Sequence, residues 1–195
     1  ERHIEMPPLT DKDRQAIDLG LRMGIRHFAL SFANYGPDVD EIRGLCGEDA
    51  FIISKVESRQ ALLHLDEIID LSDAILIDRG DLSREIAIEA IPIAQRRIIK
   101  RARLRNRSVY VATNLLESMI SSPGPTRAEV NDVYSTLEQG ASGLVLAAET
   151  AIGENPVASA GMVKRLVSIF QSNDIHEDFQ QIEGQSLLNE PLGGT

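Results

Sequence analysis

Five short apolar runs rich in Val, Ile and Leu alternate with stretches of helical length along this 195-residue chain, which confines it to few folds. A strand that lies parallel to its predecessor needs a long crossover, usually a helix, so this alternation builds a parallel sheet from βα units. The runs are 27–32, 51–56, 74–77, 109–112 and 143–147. Thr10 predicts the N-cap of a helix reaching about Met23, and Gly24 stops it; Pro37 opens another that ends near Gly47. After Glu57 and Ser58, one helix carries Ala61, Leu62, Leu65, Ile68 and Ile69 at helical spacing. An irregular stretch follows Arg79-Gly80-Asp81, and a long helix covers about 92–105. Thr126 and Glu129 form a capping box for a helix ending at Gly140, and a last helix runs from Pro156 to about Phe170. The expected fold class is α/β, a partial TIM-type (β/α) barrel of about five parallel strands with flanking helices, over residues 1–170. Residues 171–195 are polar and Gly-containing and read as a tail or linker.

Composition excludes several classes of function. A formal net charge of −10 disfavours general affinity for nucleic acid or an anionic membrane, which attract excess Lys and Arg. The basic run between Arg96 and Arg107 is interleaved with Ile98, Ile99 and Leu104 and reads as a solvated helix face. No stretch is apolar enough to span a bilayer, and the single cysteine, Cys46, permits neither an intrachain disulfide nor a cysteine-based zinc site. A cytoplasmic location is the expectation. The missing initiator Met and the ending Leu192-Gly193-Gly194-Thr195 suggest a domain taken from a longer protein.

Ligand-binding groups of parallel α/β sheets gather at the carboxyl ends of the strands. Side chains alternate along the second strand, so Ile53, Lys55 and Glu57 share one face. Taken alone, Lys55 and Glu57 also read as a simple ion pair. The next strand delivers Arg79-Gly80-Asp81 to the same rim, which adds a second carboxylate. Two rim carboxylates with open coordination positions suit magnesium, which keeps waters and takes further ligands from a phosphorylated substrate. Gly80 admits close approach of a ligand to the backbone. Thr113 follows the fourth strand and offers a hydroxyl, though such threonines commonly just bond backbone. Glu149 and Thr150 follow the fifth strand in the same way.

Six strings carry a family resemblance: Ser54-Lys55-Val56-Glu57, Arg79-Gly80-Asp81-Leu82, Val111-Ala112-Thr113, Leu116-Glu117-Ser118-Met119-Ile120, Pro125-Thr126-Arg127-Ala128-Glu129 and Glu149-Thr150-Ala151. In order and spacing they resemble the pyruvate kinase barrel, from about Leu9 to Phe170. The resemblance implies Mg2+-dependent (or Mn2+-dependent) phosphoryl transfer between phosphoenolpyruvate and ADP. It implies Lys55 as the catalytic cation, Glu57 and Asp81 as metal ligands, and Thr113 as a catalytic and pocket residue. Ser31, Arg79, Gly80, Asp81 and Thr113 would bind substrate, with the Gly80 and Asp81 amides seating its carboxylate. Metal and anionic substrate would then bind cooperatively.

That barrel has eight strands, and the match covers the last five, so the K+ ligands and much of the ADP/ATP contact fall outside the matching strings. Open sheet edges imply a homo-oligomer or docking with another domain. The chain departs from the family pattern at Asp78, where a small residue is usual, at Ser83 for glycine, at Asn114 for glutamine, and at Ala147-Ala148 for Ser-Gly. Two other readings stay open: lyase or enolate chemistry on pyruvate without nucleotide, and a non-catalytic sensing or assembly domain of a larger enzyme.

Overall fold

The computed structural model describes residues 7–172. Its elements, in chain order, are α1 (Asp11–Arg22), β1 (His27–Leu30), α2 (Gly36–Cys46), β2 (Phe51–Val56), α3 (Arg59–Leu63), α4 (Leu65–Leu71), β3 (Ala74–Asp78), α5 (Arg79–Glu85), α6 (Ile91–Leu104), β4 (Ser108–Ala112), α7 (Arg127–Glu138), β5 (Gly143–Val145), α8 (Ala148–Ala151) and α9 (Pro156–Ser172). The five strands form one sheet in the order β1-β2-β3-β4-β5, all pairs parallel. Strand order that follows chain order without reversal distinguishes this sheet from the doubly wound kind, whose order switches direction. The expected α/β fold of five parallel strands with flanking helices is therefore present.

The described residues cluster into two compact units: 7–113 with 139–145, and 114–138 with 146–172. The first holds the whole sheet. Along β2 burial alternates, with Ile52, Ser54 and Val56 fully buried and Phe51, Ile53 and Lys55 partly so. Ile52 and Val56 pack with Ile68, Ile69, Ile75, Ile77, Ile98 and Ile99 in one core cluster, and the Ser54 hydroxyl shares a hydrogen bond with that of Ser72. Each of these isoleucines removed from water contributes about 1.5–3 kcal/mol, so this core dominates the unit's stability. The basic face of α6 is not simply solvated, because Arg101 pairs with Asp66 and Arg105 with Asp66 and Asp70, tying α6 to α4.

In the second unit α7 and α9 pack together, and Tyr134 meets Phe170 edge to face at 5.4 Å. The capping box forms as expected: Thr126 Oγ1 accepts from the Glu129 amide, and Glu129 accepts from the Thr126 amide. Glu129 also takes the amide and hydroxyl of Ser118. Its carboxyl therefore titrates below the ordinary value, because these donors outweigh the opposing effect of burial.

Three sequence expectations are corrected. The helix after β2 is two helices, broken at His64, whose φ of −104° and ψ of 20° serve as the end of α3 and the start of α4. The stretch after 79–81 is helical as far as Glu85, since Arg79-Gly80-Asp81 opens α5, and the irregular part is confined to Ile86 and Ala87 and a short 3-10 turn, Ile88–Ala90. The fifth strand stops at Val145, and Glu149 lies in α8 instead of at a strand end. The tail or linker expected over 171–195 falls, from residue 173 on, outside the described residues.

Candidate functional site

The carboxyl ends of β1, β2, β3 and β4 meet at one rim of the first unit, and strand register decides what gathers there. Lys55 lies opposite Leu76, and Asp78 lies opposite Ala112. Because faces alternate along a strand, Leu76 and Asp78 share the face of Lys55, and Glu57 extends that face by two residues. Lys55 Nζ lies 2.5 Å from Glu57 Oε1, 3.4 Å from Asp78 Oδ2 and 3.5 Å from Ser31 Oγ. The ammonium thus links three strand ends.

Glu57 is only 1% exposed. Its Oε2 accepts the Phe32 amide at 2.6 Å, whereas Oε1 receives no aligned hydrogen bond and meets Lys55 as an ion pair in distance only. Burial raises the Glu57 carboxyl above its ordinary pKa, against the pull of Lys55 and the Phe32 amide. For Lys55, burial works to lower the pKa, but Glu57 and Asp78 outweigh it and hold the amine above the usual lysine value. The amine is charged at neutral pH.

Thr113 and its neighbour Asn114 occupy the left-handed region, with φ of 66° and 53°. A β-branched residue is a rare occupant there, and such conformations persist only where surroundings hold them. The holding groups are Arg79, which donates through Nε and Nη2 to the Thr113 carbonyl at 3.1 and 2.7 Å, and the Gly80 amide, which donates to Thr113 Oγ1 at 2.8 Å. The single hydroxyl proton of Thr113 reaches the Ala112 carbonyl at 2.6 Å and Asp78 Oδ1 at 3.0 Å. A Cβ added at Gly80 would lie 3.4 Å from Asp78 Oδ1 and 3.5 Å from Thr113, pointing a methyl into the polar cluster.

The structure brings together Ser31, Lys55, Glu57, Arg79, Gly80, Asp81 and Thr113, all named from sequence, and adds Asp78. Carboxylate oxygens of Glu57, Asp78 and Asp81 lie within 4.8 Å of one another. Asp81 is further held by Arg84 at 3.2 Å. Oxygen donors at this separation, one with a buried oxygen that receives no hydrogen bond, fit a hard divalent ion such as Mg2+ or Mn2+. Asp78 was visible in the sequence only as a departure from the family pattern, and the signal missed was its phase: it stands two residues beyond Leu76, on the lysine's face. Glu149 has a different task in the second unit, where its buried carboxylate accepts the amides of Leu116 at 3.1 Å and Ala147 at 2.9 Å.

Known proteins resemble this chain along most of its length. Residues 1–160 match the model of the pyruvate kinase barrel domain. The pyruvate kinase of Methylorubrum extorquens is 43% identical over 163 residues, which is 84% of this chain and 34% of that protein. The pyruvate kinase of Thermotoga maritima is 43% identical over 167 residues, 84% of this chain and 36% of the relative. One from Agrobacterium vitis is 40% identical over 179 residues, 92% and 36% of the two chains. The chain spans about a third of the length of these curated relatives. Matched along most of its length by a barrel model and by full-length enzymes alike, the chain belongs to the pyruvate kinase family.

Proposed function

We propose that this chain carries the phosphoenolpyruvate half of a pyruvate kinase site and serves Mg2+-dependent phosphoryl transfer between phosphoenolpyruvate and ADP, with nucleotide contacts supplied from outside it. The observation that carries this reading is the convergence of one ammonium and three carboxylates at a single rim. Glu57 and Asp81 would hold the divalent ion, which when bound supplies positive charge to the anionic oxygens of the substrate. Lys55 adds a fixed cation where negative charge grows on the departing enolate and the transferring phosphoryl group. Phosphoryl transfer depends on such positioned charge more than on covalent participation by the protein. Arg79 holds the turn that presents Thr113, and the Thr113 hydroxyl stands ready to relay a proton at the enolate carbon. Ser31 lies beside the lysine and orients it.

β1 and β5 each pair on one side only among the described residues, which supports a homo-oligomer or a further domain as their cover. A cytoplasmic site of action accords with the lone, buried Cys46; no described helix is long and apolar enough to cross a membrane. The test is calorimetric titration of the chain with oxalate, a planar dianion resembling the pyruvate enolate, with and without Mg2+. Binding only in the presence of Mg2+ is the expected result; its absence under both conditions would overturn the reading.

A further inference from the structure

The rim holds one more acidic group than the two-carboxylate site expected from the sequence, and its placement argues against a decorative role. Asp78 Oδ2 faces Lys55 at 3.4 Å, Oδ1 faces Thr113 Oγ1 at 3.0 Å, and its carboxylate lies within 4.8 Å of both Glu57 and Asp81. The Asp78 side chain is 13% exposed, so solvent screens it little. Glu57 Oε1 is buried in the same cluster and, apart from the Lys55 ammonium at 2.5 Å, receives no aligned hydrogen bond, which leaves it capacity to share an ion with Asp78 and Asp81.

The charge balance then differs from that of a site with only Glu57 and Asp81. Without Asp78, the Lys55 ammonium and the Arg84 guanidinium balance Glu57 and Asp81, so a bound divalent ion makes the site positive and calls for an anionic substrate. With Asp78 the same groups leave one negative charge, which offsets part of the ion's charge before any substrate arrives. Asp78 also draws on the Thr113 hydroxyl, which itself takes the Gly80 amide, so two donors at the rim already have partners before any ligand carboxylate arrives.

We propose that Asp78 is a third carboxylate of the divalent-ion site, offsetting part of the ion's charge within the chain so that it binds tightly before substrate and so that anionic substrate binds more weakly afterwards. This rests on the functional reading above and replaces the expected mutual cooperativity of metal and substrate with an ordered, metal-first site. Charge count is a principal control of divalent-ion affinity in oxygen sites, and loss of a supporting carboxylate there costs about 10–100-fold.

The experiment titrates Mn2+ into the full 195-residue chain without substrate, following the ion's electron paramagnetic resonance signal. Wild type, Asp78→Ala and Asp78→Asn are compared, and oxalate is then titrated into each at saturating Mn2+. Both variants should bind Mn2+ at least about tenfold more weakly, and metal-saturated Asp78→Ala should bind oxalate more tightly than wild type. Asp78→Asn keeps the size of the side chain and its contact with Thr113, so it supplies the answer if Asp78→Ala does not fold by circular dichroism. Mn2+ affinity within about twofold of wild type in the folded variants would overturn the inference alone. Failure of wild type itself to bind Mn2+ would overturn both this inference and the functional reading beneath it.

Discussion

The two ends of the same sheet each carry a carboxylate withdrawn from solvent, and they are treated in opposite ways. At the amino end, Asp73 Oδ2 accepts from Arg43 at 2.7 Å and from the Ile52 amide at 2.8 Å, and Arg43 also donates to the carbonyls of Ala50 and Leu71. Burial alone would raise the Asp73 pKa, yet Arg43 and the Ile52 amide hold it below the ordinary aspartate value. At the carboxyl end, Glu57 is more deeply buried, keeps one oxygen without an aligned donor, and titrates above its ordinary value. Donors complete the first carboxylate and fix the crossover between strands; the second meets the Phe32 amide and the Lys55 ammonium, and its Oε1 receives no aligned hydrogen bond. The fully satisfied group belongs to the scaffold, and the less satisfied one is where the proposed chemistry sits.

The contrast is sharpest when a charge is removed from either end. Lys55→Met should reduce Mg2+-dependent oxalate binding by at least about a hundredfold, roughly 2.7 kcal/mol, as read by calorimetry. A variant that kept wild-type affinity would show that the rim does not work as a unit. Asp73→Ala should cost about 2 kcal/mol of stability, because charged hydrogen bonds contribute about 1.5–3 kcal/mol and the Arg43 charge loses its partner. Urea unfolding measures that loss, and Mn2+ affinity should not move. Glu57→Gln should do the reverse, weakening Mn2+ at least about tenfold, or 1.4 kcal/mol, while the unfolding midpoint holds or rises.

The smallest effect is in pH dependence, and its sign differs between the ends. Asp73 has a depressed folded pKa, so its stabilisation is present above the unfolded aspartate value and is lost as pH falls through the lower folded one. Glu57 has a raised folded pKa, so the advantage of its protonated form is present below the unfolded glutamate value and is lost as pH rises through the folded one. The stability gap between wild type and Asp73→Ala should therefore close in acid. That between Glu57→Gln and wild type should open as pH climbs. Protons should compete with Mn2+ at a higher pH than an ordinary glutamate would allow, and a Mn2+ titration series across acidic pH would show whether they do.

Most of the scaffold was legible because its signals are local. Thr10 caps α1 through the Asp13 amide as read, Gly24 follows its end at a φ of 82°, and the limits of β2 match the sequence expectation residue for residue. What escaped was non-local or weakly patterned. Helix α5 contains Gly80, Asp81 and Ser83, poor helix formers without an apolar stripe, so nothing in its own sequence announces it. The break at His64 interrupts an apolar spacing that reads as continuous, since periodicity is blind to one residue leaving helical angles. Lys55, Glu57 and Asp81 were found by strand phase and by likeness, whereas Asp78 required β3 to run one residue further, to the position that pairs with Ala112. A single residue of strand length thus separated a rim read with two carboxylates from one that gathers three.

The left-handed turn at Thr113 has an implication for anyone selecting hardier versions of this chain. Glycine would relieve a backbone cost of about 1–3 kcal/mol at that position, but it would also discard the hydroxyl that bridges Gly80, Asp78 and Ala112, hydrogen bonds worth about 0.5–1.5 kcal/mol each. Relief and loss are of one order, so the strained turn persists because the hydroxyl that organises the rim also helps to hold it.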